Sequence, residues 1–287
     1  MDARKTLQVL NREWMDCSRC ELGTHRRAVA GEMVFGEGTP RSVLFVGEGP
    51  GENEEREGRP FVGESGKLLR LVLDKFQLHD FYITNVVACR SCTPVLNEDG
   101  TPMFRKAYRG RPAMPRYRDE PPSAAAMNCC LPRLQEEIYL VDPVLIVSLG
   151  VKAAEALVGK SVAITQERGQ ERHITIPGAS HRASLTEKKG AWRRVVRGQV
   201  VMPTEPNEVR YLLLPTLHPA FVLRSISDRR DRSALRQFAS DIRKAVRIYE
   251  RYMLEVMGVT LSSRSDTTDD QIEESVTVMR EQEEDYG

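Results

Sequence analysis

The sequence predicts an α/β fold of three layers, α/β/α, built around a central, mostly parallel four-stranded sheet. Three observations predict it. Four short apolar runs, at residues 43–47, 81–87, 144–149 and 211–215, have the length and β-branched or aromatic character of buried strands. Helical patterns separate these runs, so neighbouring strands connect by crossovers and lie parallel. The first run ends in a glycine turn rich in acid, Gly47-Glu-Gly-Pro-Gly51 followed by Glu52, Glu54 and Glu55, which puts charge at the sheet edge where open α/β sheets place ligands.

Taken in order, residues 1–16 read as a short amphipathic helix with Leu7, Leu10 and Trp14 at helical spacing. The strand at 43–47 leads through the acidic turn to a compact loop, Gly58-Arg-Pro-Phe-Val-Gly63, and a helix over 66–76 with Leu68, Leu69, Val72 and Phe76 inward. After the strand at 81–87, residues 93–122 hold six prolines, two glycines and many arginines without hydrophobic periodicity, and read as an inserted loop. Residues 124–141 are helical, Asp142-Pro143 ends that helix, and the strand at 144–149 turns at Gly150 into a helix over 151–158. Residues 160–208 read as a second, basic insert with β-prone pieces. The last strand leads to Thr216-Leu-His-Pro219, and a long helix spans 232–253. A domain over 1–254 is expected, with residues 255–287 an acidic, disordered tail.

The chain has 287 residues, 40% hydrophobic and 29% charged, as in a soluble globular protein. No apolar run approaches the ~18 residues that span a bilayer, and the first residues lack a signal-peptide core. A cytoplasmic monomer without membrane contact is expected. The net charge of +1 hides an asymmetry: residues 255–287 hold ten acidic and two basic side chains, a tail of −8 against a body of +9. Basic residues cluster at 105–118 and 188–197. A basic body suits an anionic polymer such as nucleic acid, and the acidic tail suits a protein partner. Gly47-x-Gly49-x-Gly51 lacks the spacing of a dinucleotide loop, and its acids would repel a pyrophosphate.

Six cysteines all precede residue 131: Cys17, Cys20, Cys89, Cys92, Cys129 and Cys130. Such grouping in a cytosolic chain points to metal ligation. Two CxxC pairs would suit zinc; the same thiols, or a set drawing on Cys129 or Cys130, would suit an iron–sulfur cluster. Spacing alone leaves both open.

Together these segments resemble the iron–sulfur, or family-four, uracil-DNA glycosylases over most of residues 7–250. Cys17-x-x-Cys20 resembles the first cluster pair. The segment Gly47–Gly51 with Glu54 and the loop 58–63 resembles motif one and the uracil-stacking loop. Thr84-Asn-Val-Val-Ala-Cys89 and Cys130-Leu-Pro-Arg-Leu134 resemble the segments that supply the third and fourth cysteines, and Leu217-His-Pro-Ala-Phe-Val-Leu-Arg224 resembles motif two. The resemblance implies a uracil-DNA glycosylase-like fold, uracil-containing DNA as substrate, and a [4Fe–4S] cluster, in preference to zinc, on Cys17, Cys20, Cys89 and Cys130. It also implies a set of pocket residues. Phe61 would stack on the flipped base, Asn85 would read the uracil edge, and His218 would donate to uracil O2. Glu48 would stand near the sugar, with Gly49 and Glu54 near the base. The chain departs from the pattern in its two inserts, in its acidic tail, and at Gly49, where related enzymes keep an aspartate. Glu48, Glu54 or Glu55 would then supply any water-positioning or cation-stabilising carboxylate, or backbone groups would do so. A non-catalytic DNA-binding accessory protein of the same fold is the alternative.

Overall fold

The computed structural model describes residues 3–105, 114–177, 194–196, 199–201, 208–229, 231–260 and 267–284. Six strands form the central sheet: β1 (Glu37–Gly38), β2 (Val43–Gly47), β3 (Phe81–Asn85), β4 (Leu145–Leu149), β5 (Arg172–Pro177) and β6 (Glu208–Thr216). Their spatial order is β1-β3-β2-β4-β6-β5. The four expected strands are the parallel centre, in register at Gly47–Asn85, Val46–Ser148 and Thr216–Leu149. The expected four-stranded sheet is corrected to a mixed six-stranded one. Two antiparallel edge strands complete it, β1 on β3 and β5 on β6. β1 is two residues long, too short for a periodic signal, and β5 lies in the segment read as an insert.

All five residues of β2 are buried, as a strand covered on both faces requires. Val43 and Phe45 face one apolar core with the helices Glu64–Lys75, Pro219–Arg229 and Ser233–Met257. Leu44 and Val46 face a second core with the helices Ala3–Trp14, Ala124–Val141 and Val151–Val158. These are the three layers.

The chain leaves β2 for β3 on one side and later returns to β4 on the other. The order therefore reverses beside β2, and the carboxyl ends of β2, β3, β4 and β6 open at the switch point where such sheets hold ligands.

The tail differs from its expected disorder. Asp269–Glu284 is a helix. Ile272 and Val276 are buried in the first core. Glu273 pairs with Arg232 at 3.1 Å and Arg236 at 2.6 Å, and Asp269 pairs with Arg243 at 2.6 Å. Thus two acids of the tail, Asp269 and Glu273, meet basic residues of the same chain's body. Two apolar residues four apart are enough to seat a helix on a groove, although the segment's composition reads as solvated. The first insert is also more ordered than a loop: Cys92–Pro94 pairs antiparallel with Tyr117–Asp119, and Phe104–Arg105 with Met114–Pro115. In the second, Arg194–Val196 pairs antiparallel with Gln199–Val201. The basic cluster at 188–197 lies largely outside the described residues. No described helix is long and apolar enough to cross a membrane.

Candidate active site

Four segments meet at the carboxyl edge: the turn after β2, the loop 58–63, the end of β3, and the segment after β6. Asn85 closes β3, is buried, and leaves its Oδ1 without a hydrogen-bond partner. An unpaired polar atom at such depth is costly unless a ligand completes it. A β-carbon on the neighbouring Gly47 would collide with that Oδ1 and with the ring of Phe61. Glycine is therefore required at position 47 to let both side chains close on the strand end.

Phe61 is buried and adopts a left-handed backbone with φ of 55°, a conformation a bulky residue holds only under constraint. The constraint is visible. Glu54 is buried and accepts three backbone N–H bonds, from Val62 at 2.8 Å, Gly63 at 2.6 Å and Gly51 at 3.1 Å. Its two oxygens thus clamp the loop to the motif-one turn. Arg70 reaches the carbonyls of Pro60 and Phe61, each at 3.4 Å, and Glu37 at 3.0 Å. A β-carbon at Gly66 would strike the Phe61 carbonyl. The clamped ring lies 6.3 Å from the imidazole of His218, tilted by 31°.

His218 retains some solvent access. Its Nδ1 accepts the backbone N–H of Ala220 at 3.1 Å. Burial, reinforced by the positive charge of Arg224, pushes its pKa down to about 4. The ring is then neutral at neutral pH, and with Nδ1 accepting, the proton sits on Nε2. Gly150, at φ of 87°, leaves room for this approach, since a β-carbon there would stand 3.0 Å from Cβ of His218.

Among the acids, Glu52 and Glu55 pair with Arg90 at 3.4 and 3.5 Å, and Glu54 is the loop clamp. Glu48 has no direct partner among the described residues. Burial raises its pKa against the opposing charge of Lys152. A β-carbon at Gly49 would lie 2.8 Å from Cγ2 of Val87, so the absence of a side chain there accompanies Val87 in the segment that follows β3. Phe61, Asn85 and His218 therefore converge, and Glu48 follows Gly47 in the adjoining turn. Glu54 holds the loop that carries Phe61.

Sequence profile and geometry agree: the profile of the uracil DNA glycosylase superfamily matches residues 35–243. The chain belongs to this superfamily. It is 32% identical over 173 residues to the Type-4 uracil-DNA glycosylase of Sulfurisphaera tokodaii, covering 58% of this chain and 66% of the relative. It is 35% identical over 167 residues to the Type-4 enzyme of Thermotoga maritima, covering 57% and 72%. With the Type-4 enzyme of Archaeoglobus fulgidus, identity reaches 42% over 101 residues, 34% of this chain and 47% of the relative. The match thus spans about two thirds of the first two relatives.

For a superfamily member, the six cysteines divide clearly. Burial pushes the Cys89 thiol up to about 12, opposed by Arg26 and reinforced by Cys130, Cys20 and Cys17. These four thiols are close enough to feel one another's charge. Cys92 points instead to His25, with Sγ 3.4 Å from Nε2, and Cys129 to the Arg19 carbonyl at 3.6 Å. Among the described residues, no three His, Cys, Asp or Glu side chains converge on one ion position.

One supporting pair escaped the sequence reading. Arg133 and Glu137 are both buried and bond at 2.8 Å. Arg133 also donates to the carbonyls of Asn85 at 2.5 Å and Val86 at 3.2 Å. Glu137 accepts from Tyr82 at 3.0 Å, Thr84 at 2.8 Å and the Gly36 N–H at 3.1 Å. The helix that carries Cys130 thereby holds the strand end that carries Asn85. The available signal was an Arg and a Glu four apart on a helix face otherwise apolar.

Proposed function

We propose that this chain excises uracil from DNA by hydrolysing the N-glycosidic bond, leaving an abasic site. The observation that carries the reading is the neutral His218, its Nε2–H directed by the Ala220 bond to Nδ1, beside the clamped ring of Phe61 and the unpaired amide oxygen of Asn85. The target nucleotide leaves the stack and enters the pocket. The Phe61 ring stacks on the base. Asn85 pairs with the uracil edge, Oδ1 accepting from N3–H and the amide N–H₂ donating to O4. Cytosine presents an amino group at that position and leaves a buried donor facing a donor, which is the strong form of discrimination.

As the glycosidic bond breaks, negative charge collects on uracil O2 and positive charge on the sugar. The Nε2–H of His218 donates to O2 and stabilises the leaving anion in a largely dry site. Glu48 supplies the carboxylate that stabilises the sugar cation and orients water. It is the acid of the motif-one turn left free by the engagement of Glu52, Glu54 and Glu55 elsewhere.

Cys17, Cys20, Cys89 and Cys130 would hold a [4Fe–4S] cluster. Four soft thiols suit iron–sulfur ligation, and a cationic centre would take up in its deprotonated form the Cys89 thiol, which burial otherwise keeps protonated. When bound, the cluster would supply a structural cross-link among four separate segments.

The test is excision on an oligonucleotide containing one uracil. Alkali-labile abasic product is expected at nanomolar enzyme; none at micromolar enzyme would sink the reading.

A further inference from the structure

The first insert stands beside the pocket. At its base, Cys92 lies opposite Asp119, Thr93 opposite Arg118, and Pro94 opposite Tyr117. The ladder continues through Val95, whose N–H bonds the Arg116 carbonyl at 2.9 Å. Side chains alternate along such a strand. One alternate set holds the hairpin to the body. The Tyr117 ring meets His25 edge-on at 5.1 Å, and Asp119 accepts from Arg90 Nε at 2.6 Å. Arg90 is buried, and its other nitrogens reach Glu52 and Glu55 on the helix Glu52–Glu57 that follows the motif-one turn. Asp119 Oδ2 lies 3.4 Å from where a β-carbon of Gly51 would be. The insert is therefore fastened to the turn that carries Glu48.

The other alternate set, Arg116 and Arg118, is exposed. The Arg118 side chain is 76% exposed and donates to Glu120 at 2.9 Å; Arg116 reaches Sδ of Met103 at 3.5 Å. An exposed ion pair of this kind is weak, and a phosphate oxygen can take its place. Two guanidinium groups one strand repeat apart, on a hairpin fixed at the pocket rim, match the spacing of a charged backbone. Guanidinium forks bind phosphates well.

We propose that this outward face grips the phosphate backbone of the substrate DNA beside the flipped nucleotide. The proposal rests on the glycosylase reading for its choice of polymer. Its test compares the wild type with Arg116→Gln/Arg118→Gln, which keeps side-chain hydrogen bonding on an exposed face, with circular dichroism to check the fold. Binding to a duplex containing a stable abasic-site analogue is followed by fluorescence anisotropy from 50 to 300 mM salt. The slope of log affinity against log salt should fall by about 1.5, as two phosphate contacts at roughly 0.7–0.9 each require, with affinity lower on the order of tenfold. Single-turnover excision at saturating enzyme should be unchanged. Unchanged slope and affinity, with wild-type excision intact, would overturn the clamp and leave the glycosylase reading standing. A reduced slope in a protein without excision would do the reverse.

Discussion

The backbone N–H of Ala220 points at Nδ1 of His218 from 3.1 Å. This contact sets which nitrogen of the ring can donate, and it makes a pH prediction with a definite sign. The His218 pKa is lowered to about 4 by burial and Arg224, so the imidazole stays neutral from alkaline pH down to that value. Glu48 is raised above the ordinary glutamate range by burial. It loses its charge first as pH falls. The acidic limb of kcat should therefore belong to Glu48. His218→Ala should lower kcat by about 10²–10³ without moving that limb, whereas Glu48→Gln should lower kcat and abolish it. A limb that disappears in His218→Ala would assign the titration to the wrong residue.

Glu54 should behave as a positioning residue. Its oxygens hold three backbone N–H groups of the turn and loop, and Phe61 keeps its left-handed backbone on that loop. Glu54→Ala leaves buried donors unpaired at about 1–3 kcal/mol each. It should lower Tm as well as activity, with KM for DNA rising as the stacking ring loses its place. A side chain that touched only the base would lower activity and leave the melting curve unmoved.

The parallel centre was legible because β2, β3, β4 and β6 are apolar on both faces, and burial on both faces writes itself into four or five consecutive residues. Phe61, Asn85 and His218 each sit in a short motif whose order along the chain carries information, and the fold brings the Phe61 ring beside both of the others. The hold of Glu54 on the loop was not legible. Its carboxylate accepts from backbone N–H groups, which any residue can supply, so nothing in the sequence marks these donors. Arg133 and Glu137 compensate each other inside the core, and buried compensation looks like surface charge when only residue types are visible. The edge strand at 37–38 is held by two residue pairs alone, below the length at which a period of two can be recognised.

The cysteines give a prediction in which two of six differ from the rest. Cys89 feels the charges of Cys130, Cys20 and Cys17, while Cys92 faces His25 and Cys129 faces a backbone carbonyl. Substituting serine at 17, 20, 89 or 130 should abolish the broad absorbance near ~400 nm expected of a bound cluster and lower thermal stability. Cys92→Ser and Cys129→Ser should retain both. Loss of absorbance in Cys92→Ser with retention in Cys130→Ser would exchange the fourth ligand.

The carboxyl-terminal helix turns a question of partners into one of stability. Ile272 is fully buried against the core that contains Phe76 and Leu235, and Thr267 Oγ1 donates to the Lys75 carbonyl at 2.9 Å. Charge complementarity guides the segment, through Glu273 to Arg232 and Arg236 and through Asp269 to Arg243, but these pairs are partly exposed and contribute little each. The apolar pair should therefore dominate. Ile272→Ala should destabilise the whole domain by about 2–5 kcal/mol, read as a lower midpoint in urea, whereas Glu273→Gln should cost under about 1 kcal/mol. DNA affinity at fixed salt should be the same in both variants, because Asp269 and Glu273 already face cations of their own chain. A loose acidic tail that competed for the DNA surface would give the opposite pattern. Ile272→Ala would then leave the midpoint unmoved, and Glu273→Gln would tighten DNA binding.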